Sequence, residues 1–281
     1  MRSVTITLLA AIFTLPVWGA DEPNAAGADK GTAAKSESEQ IPDANTIVHK
    51  ANLVAYYQGK NGKAKISMTI TDKNGQKRQR EFIILRKDVE DGGDQNYFVY
   101  FLKPADVRKM VYMVHKHADV KKDDDRWLYL PALDLVKRIA AGDKRTSFIG
   151  SDFLYEDVSG RSLEEDTHEL IGTTDELFVI KNVPKQPDSV EFSYYNVSIN
   201  RKSYVPMKME FYDEKNKVYR VIEAAKVETI QDFPTVVKSV VSALNTGSRT
   251  EMEFSDVKYD IDLEDIFTER YLRTPPREAM R

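Results

Sequence analysis

The 281-residue chain contains no cysteine. That excludes disulfides, thiolate chemistry and a thiol-acylated N-terminus. Without staples the fold must rest on its core, and 41% apolar content over this length suffices for one large domain. Histidine is scarce, with only four: His49, His115, His117 and His168. No P-loop, dinucleotide-binding glycine pattern, H-E-x-x-H or G-x-S-x-G elbow occurs. His115 and His117 would share one face of a strand, but two imidazoles beside Lys116 make an incomplete zinc set and read as exposed polar positions. The consecutive Asp123, Asp124 and Asp125 lack the alternate spacing that converges carboxylates on calcium. Flanked by Lys121, Lys122 and Arg126, they read as a solvated turn. No catalytic residue, metal or cofactor is therefore expected.

Long hydrophobic runs are also missing. Residues 6–17 are apolar but too short to span a bilayer, and they follow Arg2 and precede the small Gly19 and Ala20. This is the layout of a signal peptide at 1–20, cut after Ala20, with Gly19 and the Ala26-Gly27-Ala28 stretch as alternatives. The expected product lies outside the cytoplasmic membrane and is not an integral membrane protein. The charge balance, 41 basic against 45 acidic residues, is mildly acidic. It disfavours nucleic acid and anionic headgroups as partners. Residues 21–40 carry almost no large apolar side chain and predict a flexible linker.

What the chain does have is β-strand pattern. After one helix over 44–58, N-capped by Asp43 and striped by Ile47, Ala51 and Val54, the period changes to 2. Ile66, Met68 and Ile70 alternate with polar residues, Asn74-Gly75 marks a hairpin, and Phe82 and Ile84 share a face on the return strand. Further strands are expected at 97–102, 110–117, 127–130, 169–173, 177–183, 190–199, 206–212, 217–228, 236–244 and 250–260. A parity slip near Ser255-Asp256 predicts a bulge. A short helix over 263–272 and a loose tail from 274 end the chain. So many antiparallel strands must curl, close or stack.

Residues 126–161 organise the rest. They read as two strands joined by a long ordered crossover: W-L-Y-L-P-A-L, then K-R-I, then F-I-G-S-D-F-x-Y-E-D. This stretch resembles the signature of the outer-membrane lipoprotein-sorting (LolA-like) proteins, in the branch found beside transporters of the resistance-nodulation-division type. The resemblance spans roughly 47–272, with Phe101-Leu102-Lys103-Pro104 and Phe267-Thr268 as flanking matches. It implies a mainly β fold: a bent, incompletely closed antiparallel sheet wrapped around the N-terminal helix, over 41–273. It implies a monomeric periplasmic carrier that holds acyl chains of a lipid or lipoprotein in an apolar groove and moves them towards the outer membrane, with an inner-membrane exporter as partner. The alternatives are an accessory protein that docks on such an exporter without cargo, and a structural envelope protein.

On this reading Ile66, Met68, Ile70, Phe82 and Ile84 line the groove together with Trp127 and Tyr129. Eight methionines and 10% aromatics supply adaptable apolar surface. Lys137, Arg138, Gly150, Ser151, Asp152, Phe153, Glu156 and Asp157 form a structural or partner-docking motif. In it Asp152, with Glu156 or Asp157, is expected to hold Lys137, Arg138 or Arg161 and fix the mouth of the groove.

Overall fold

A computed structural model of the protein describes residues 40–280. The expected signal peptide and the linker up to residue 39 lie outside the described residues. Helix α1 (Ala44–Tyr56) starts where Asp43 accepts hydrogen bonds from the Thr46 N–H at 3.0 Å and the Thr46 hydroxyl at 2.6 Å. It buries Ile47, Val48 and Ala51 along one stripe. Six strands follow: β1 (Asn61–Thr71), β2 (Lys77–Asp88), β3 (Gln95–Lys103), β4 (Val111–Lys116), β5 (Asp125–Leu130) and β6 (Leu135–Arg138). A crossover, residues 139–165, contains helix α2 (Tyr155–Ser159). Seven more strands come next: β7 (Asp166–Thr173), β8 (Leu177–Pro184), β9 (Tyr194–Asn200), β10 (Pro206–Tyr212), β11 (Val218–Ile230), β12 (Phe233–Ala243) and β13 (Ser248–Tyr259). Helix α3 (Arg270–Arg273) lies near the end.

All thirteen strands belong to one antiparallel sheet in the order β6-β5-β4-β3-β2-β1-β13-β12-β11-β10-β9-β8-β7. The sheet does not close, so β6 and β7 are its edges. Each half is a meander of hairpins, and β1 pairing with β13 joins them. Two turns use the same device. Asp72 accepts from the Asn74 and Gln76 N–H groups at 2.8 and 2.9 Å, and Asp213 accepts from Lys215 and Lys217 at 2.9 and 2.8 Å. Gly75, at φ +81°, takes the left-handed position that Asn-Gly provides. The expected bulge is present: Lys63 opposes Lys258 while Lys65 opposes Ser255, with Asp256 at φ +51°.

Three expectations are corrected. The stretch 148–157 is not a second strand but a tight turn followed by α2, because Ile149 and Gly150 both take positive φ and the Asp157 carboxylate accepts from the Leu154 N–H at 2.6 Å. Residues 135–138, read as part of the crossover, pair with β5 as an edge strand. The helix over 263–272 shrinks to α3, and the residues before it run as an irregular strap. Ile266, Phe267 and Leu272 of this segment are at most 2% exposed on the convex face, against Ile83, Leu85, Phe98, Met113 and Trp127. The sheet is thus buried on both faces in this half, which explains why β3 to β5 are apolar without alternation.

The strap is held by few, large contacts. Phe267 meets Phe98 edge-on at 6.5 Å, and its carbonyl lies 2.8 Å from His115 Nε2. Phe267→Ala is expected to destabilise the protein by about 3–5 kcal/mol, read by urea unfolding. A loss under about 1 kcal/mol would mean that the strap is not part of the core.

Candidate functional site

The concave face carries two covers. One is α1, which packs with Phe178, Ile180, Val197, Ile199 and Phe211 of β8 to β10. The other is the crossover, which inserts Phe148, Phe153 and Tyr155 among Phe82, Phe101 and Tyr112. Phe148 is fully buried, with the rings of Phe82, Phe101, Tyr112 and Tyr155 between 5.6 and 6.0 Å away. Between the two covers lies a cavity of about 440 Å³. Its wall takes Val48, Ala51 and Val54 from α1, Phe153 and Val158 from the crossover, and Ile66, Phe82, Ile84, Met209, Ile222, Met252 and Phe254 from the sheet.

Of the expected groove residues, Ile66, Phe82 and Ile84 line this cavity. Met68 and Ile70 lie in the same apolar cluster at no more than 2% exposure, on the same face of β1 but outside the cavity lining. Trp127 and Tyr129 do not join them. They face the convex side, under Arg138 and Arg273 and beside the strap. The concave residues of β5 are Leu128 and Leu130. Period 2 gave the pairing within the strand but not the face, because all four residues from Trp127 to Leu130 are apolar. The α1 residues and Val197, Ile199, Phe211 and Ile222 of the second half were not assigned to the groove, although Tyr195, Val197 and Ile199 show a clean alternation in sequence.

The motif residues fix the crossover. Ser151 donates to the Phe148 carbonyl at 2.7 Å and closes the turn at Gly150, whose carbonyl accepts from Arg78 of β2 at 3.2 Å. Asp152 holds hydroxyls rather than cations, accepting from Thr250 at 2.7 Å and from Ser248. Asp157 pairs with Arg220 of β11, a partner not expected. Lys137 and Arg138 take no part: both are exposed on the edge strand, and Arg138 pairs with Asp125. At the far end of α2, buried Lys116 donates to the carbonyls of Ser159 and Gly160 at 2.6 and 3.0 Å. Burial pushes its ammonium down to about 8. Gly160, at φ +79°, leaves space for the Tyr56 ring of α1, which a Cβ would approach to 2.6 Å.

Glu156 is the centre of this arrangement. It is 3% exposed and faces three cations: Lys144 at 3.3 Å, Arg161 at 3.5 Å, and Arg145. Each cation binds a further carboxylate. Lys144 reaches Glu165 at 2.7 Å, Arg145 reaches Glu191 at 2.6 Å, and Arg161 reaches Asp166 at 3.0 Å. Both guanidiniums also lie over the Phe192 ring, at 4.9 and 5.6 Å. The network ties the crossover to β7 and to the loop before β9. Among the described residues no group of three or more metal-ligating side chains is placed to hold an ion. His117 instead bonds Asp94 at 2.9 Å. The aspartate run is not wholly solvated either, since Arg126, 3% exposed, pairs with Asp124 at 2.5 Å.

Burial alone would raise the Glu156 pKa, but Arg145, Lys144 and Arg161 together hold it below the ordinary value of 4.5. Its folded pKa is lower than its unfolded one, so the unfolded chain binds the proton first. The stabilisation is complete above the ordinary value and is lost as pH falls through the folded pKa. Glu156→Gln is expected to cost about 3 kcal/mol at pH 7, because three partly buried cations lose their shared anion. The variant is also expected to show a weaker loss of stability between pH 5 and pH 3. Chemical denaturation across that pH range measures both.

A family model described as an uncharacterized protein matches residues 93–274, more than half of the chain. No curated protein matches the chain. Among solved structures, a DUF1329 family protein from Desulfovibrio piger is similar, with a TM-score of 0.74 and 25% identity over 83% of this chain and 100% of that one. A putative outer membrane lipoprotein-sorting protein domain from Vibrio parahaemolyticus is similar at TM-score 0.73 and 26% identity, over 82% and 98% of the two chains. A LolA superfamily protein from Nitrosomonas europaea shares the fold at TM-score 0.63 and 18% identity, over 82% and 100%. With its open thirteen-stranded sheet and its covering helix, the chain has the fold of the outer-membrane lipoprotein-sorting (LolA-like) proteins, and it belongs to the DUF1329 family, whose model spans residues 93–274.

Proposed function

We propose that the protein is a periplasmic carrier, acting as a monomer and without covalent chemistry, that holds acyl chains of a lipid or lipoprotein between α1 and the crossover. The observation that carries this reading is the apolar cavity of about 440 Å³ under the helix. Its size lies within the roughly 300–1,000 Å³ of small-molecule sites. Methionines Met209 and Met252 in the wall can repack around a flexible chain. Burying a chain of about sixteen carbons gives roughly 12 kcal/mol gross at ~0.8 kcal/mol per CH₂. Such a carrier needs a moving part to release what it holds.

The two covers differ in how they are held. The crossover is fixed by the Glu156 network, by Arg220 and by Lys116. Helix α1 is fastened by its C-terminal end. There Arg86 donates to the Tyr56 carbonyl and, at 2.6 Å, to those of Gln58 and Gly59, and Gln95 donates to Tyr56 at 2.8 Å. Its first turns meet the sheet through apolar side chains and one long Lys50–Tyr204 bond of 3.5 Å. Cargo uptake therefore swings α1 about its anchored end. The signature at 126–161 extends the reading to a partner, an inner-membrane exporter of the resistance-nodulation-division type, with delivery towards the outer membrane.

Ile84 is half-buried in the cavity wall, whereas Met68 is fully buried on the same sheet face outside the lining. Ile84→Gln is expected to weaken binding of a fluorescent alkyl probe roughly tenfold or more while costing under about 2 kcal/mol of stability. Met68→Gln is expected to cost about 2–5 kcal/mol, as a core substitution. Probe titration and urea unfolding of both variants test this. A wild type that binds no alkyl probe would remove the carrier reading.

A further inference from the structure

We infer that this cavity accepts alkyl chains joined to an uncharged ester or amide, and excludes chains that end in a free carboxylate or phosphate. The inference deepens the carrier reading and rests on it. It comes from the charged side chains of the wall, which are Arg86, Arg145, Glu156, Asp157, Arg161 and Lys63.

Every cation among them is already engaged. Arg86 donates to three carbonyls at the end of α1 and pairs with Asp88 at 3.2 Å. Arg145 is shared between Glu156 and Glu191. Arg161 is shared among Asp166 at 3.0 Å, Glu165 at 2.8 Å and Glu156 at 3.5 Å. Lys63 has a partner of its own. A ligand anion would have to displace one of these carboxylates or carbonyls. A carboxylate brought out of water with no cation to receive it loses several kcal/mol of hydration without return.

The polar groups that the wall leaves available are neutral. Asn52 of α1, Tyr56 at its end and Ser239 of β12 line the cavity, and their side chains make no hydrogen bond among the described residues. Ser239 lies opposite Met252, itself in the wall, so it shares the concave face. Burial, with Asp157 and Glu156 nearby, raises the Tyr56 phenol well above its ordinary value, which keeps it a donor. An amide, a phenol and an alcohol can satisfy ester or amide groups but cannot neutralise an anion. Acyl chains with such linkages occur on neutral glycerides and on the acylated end of a lipoprotein.

The test displaces a neutral fluorescent alkyl probe from the purified wild-type protein at pH 8, below micelle concentrations. The competitors are monopalmitoylglycerol, a triacylated peptide of uncharged sequence with an amidated end, and palmitate. The expected result is that at least one of the two neutral ligands binds tenfold or more tightly than palmitate. Glyceride alone would identify a free neutral lipid as the source, and the peptide alone a lipoprotein. Palmitate binding as tightly as both would overturn the inference and leave the carrier reading standing. If the probe and all three competitors fail to bind, both fall. Ser239→Lys, checked for folding by circular dichroism, places a cation in the wall. Palmitate affinity is expected to rise tenfold or more with little change for the glyceride, and unchanged palmitate affinity would overturn charge as the cause of exclusion.

Discussion

Glu156 draws Lys144, Arg145 and Arg161 onto one buried carboxylate, and those cations carry Glu165, Asp166 and Glu191 with them. Removing three cations and a carboxylate from water is costly, and only dense mutual pairing offsets it. The arrangement therefore holds in one geometry, and that geometry fixes where the crossover runs. With the crossover fixed, Phe148 and Tyr155 are seated against β2 to β4, and the cavity has a firm wall on one side. Helix α1, held by main-chain hydrogen bonds at one end, forms the other wall.

An open sheet of thirteen strands has two edges, and each offers unpaired backbone groups to other chains. The edge at β6 is four residues long and ends in exposed Lys137 and Arg138, which blunts it. The basic pair read from sequence as a partner or crossover anchor thus has an ordinary structural account in this fold. The crossover departs from that edge, passes across the concave face and arrives as the opposite edge, β7. One connection therefore both spans the bent sheet and fills half of its hollow. The convex side of β2 to β5 needs a separate cover, and the C-terminal strap supplies it.

Much of this was legible in the amino-acid pattern. The hairpin at Asn74-Gly75, the turn at residues 213–216 and the bulge near Asp256 follow from local chemistry that tertiary contacts do not override. The importance of 126–161 was legible too, through its density of aromatics and opposed charges. What could not be read was which face each apolar stripe takes. β5 is buried on both sides, so Trp127 and Leu128 are equivalent in sequence and opposite in space. Of the cations around Glu156, Arg161 was among those expected, whereas Lys144 and Arg145 come from the loop inside the crossover and reach it only once that loop folds back on α2. Helix α2 was hidden because its five residues are too few for a helical period to show.

The central claim is that the space between α1 and the crossover holds alkyl chains. Mass spectrometry of an organic extract tests it most directly, on protein purified without detergent from the cells that make it. The account predicts a long-chain acyl molecule in amounts approaching one per protein, displaced when Ile84 is changed to Gln. An extract free of acyl chains, from protein that also fails to take up an added alkyl probe, would contradict it.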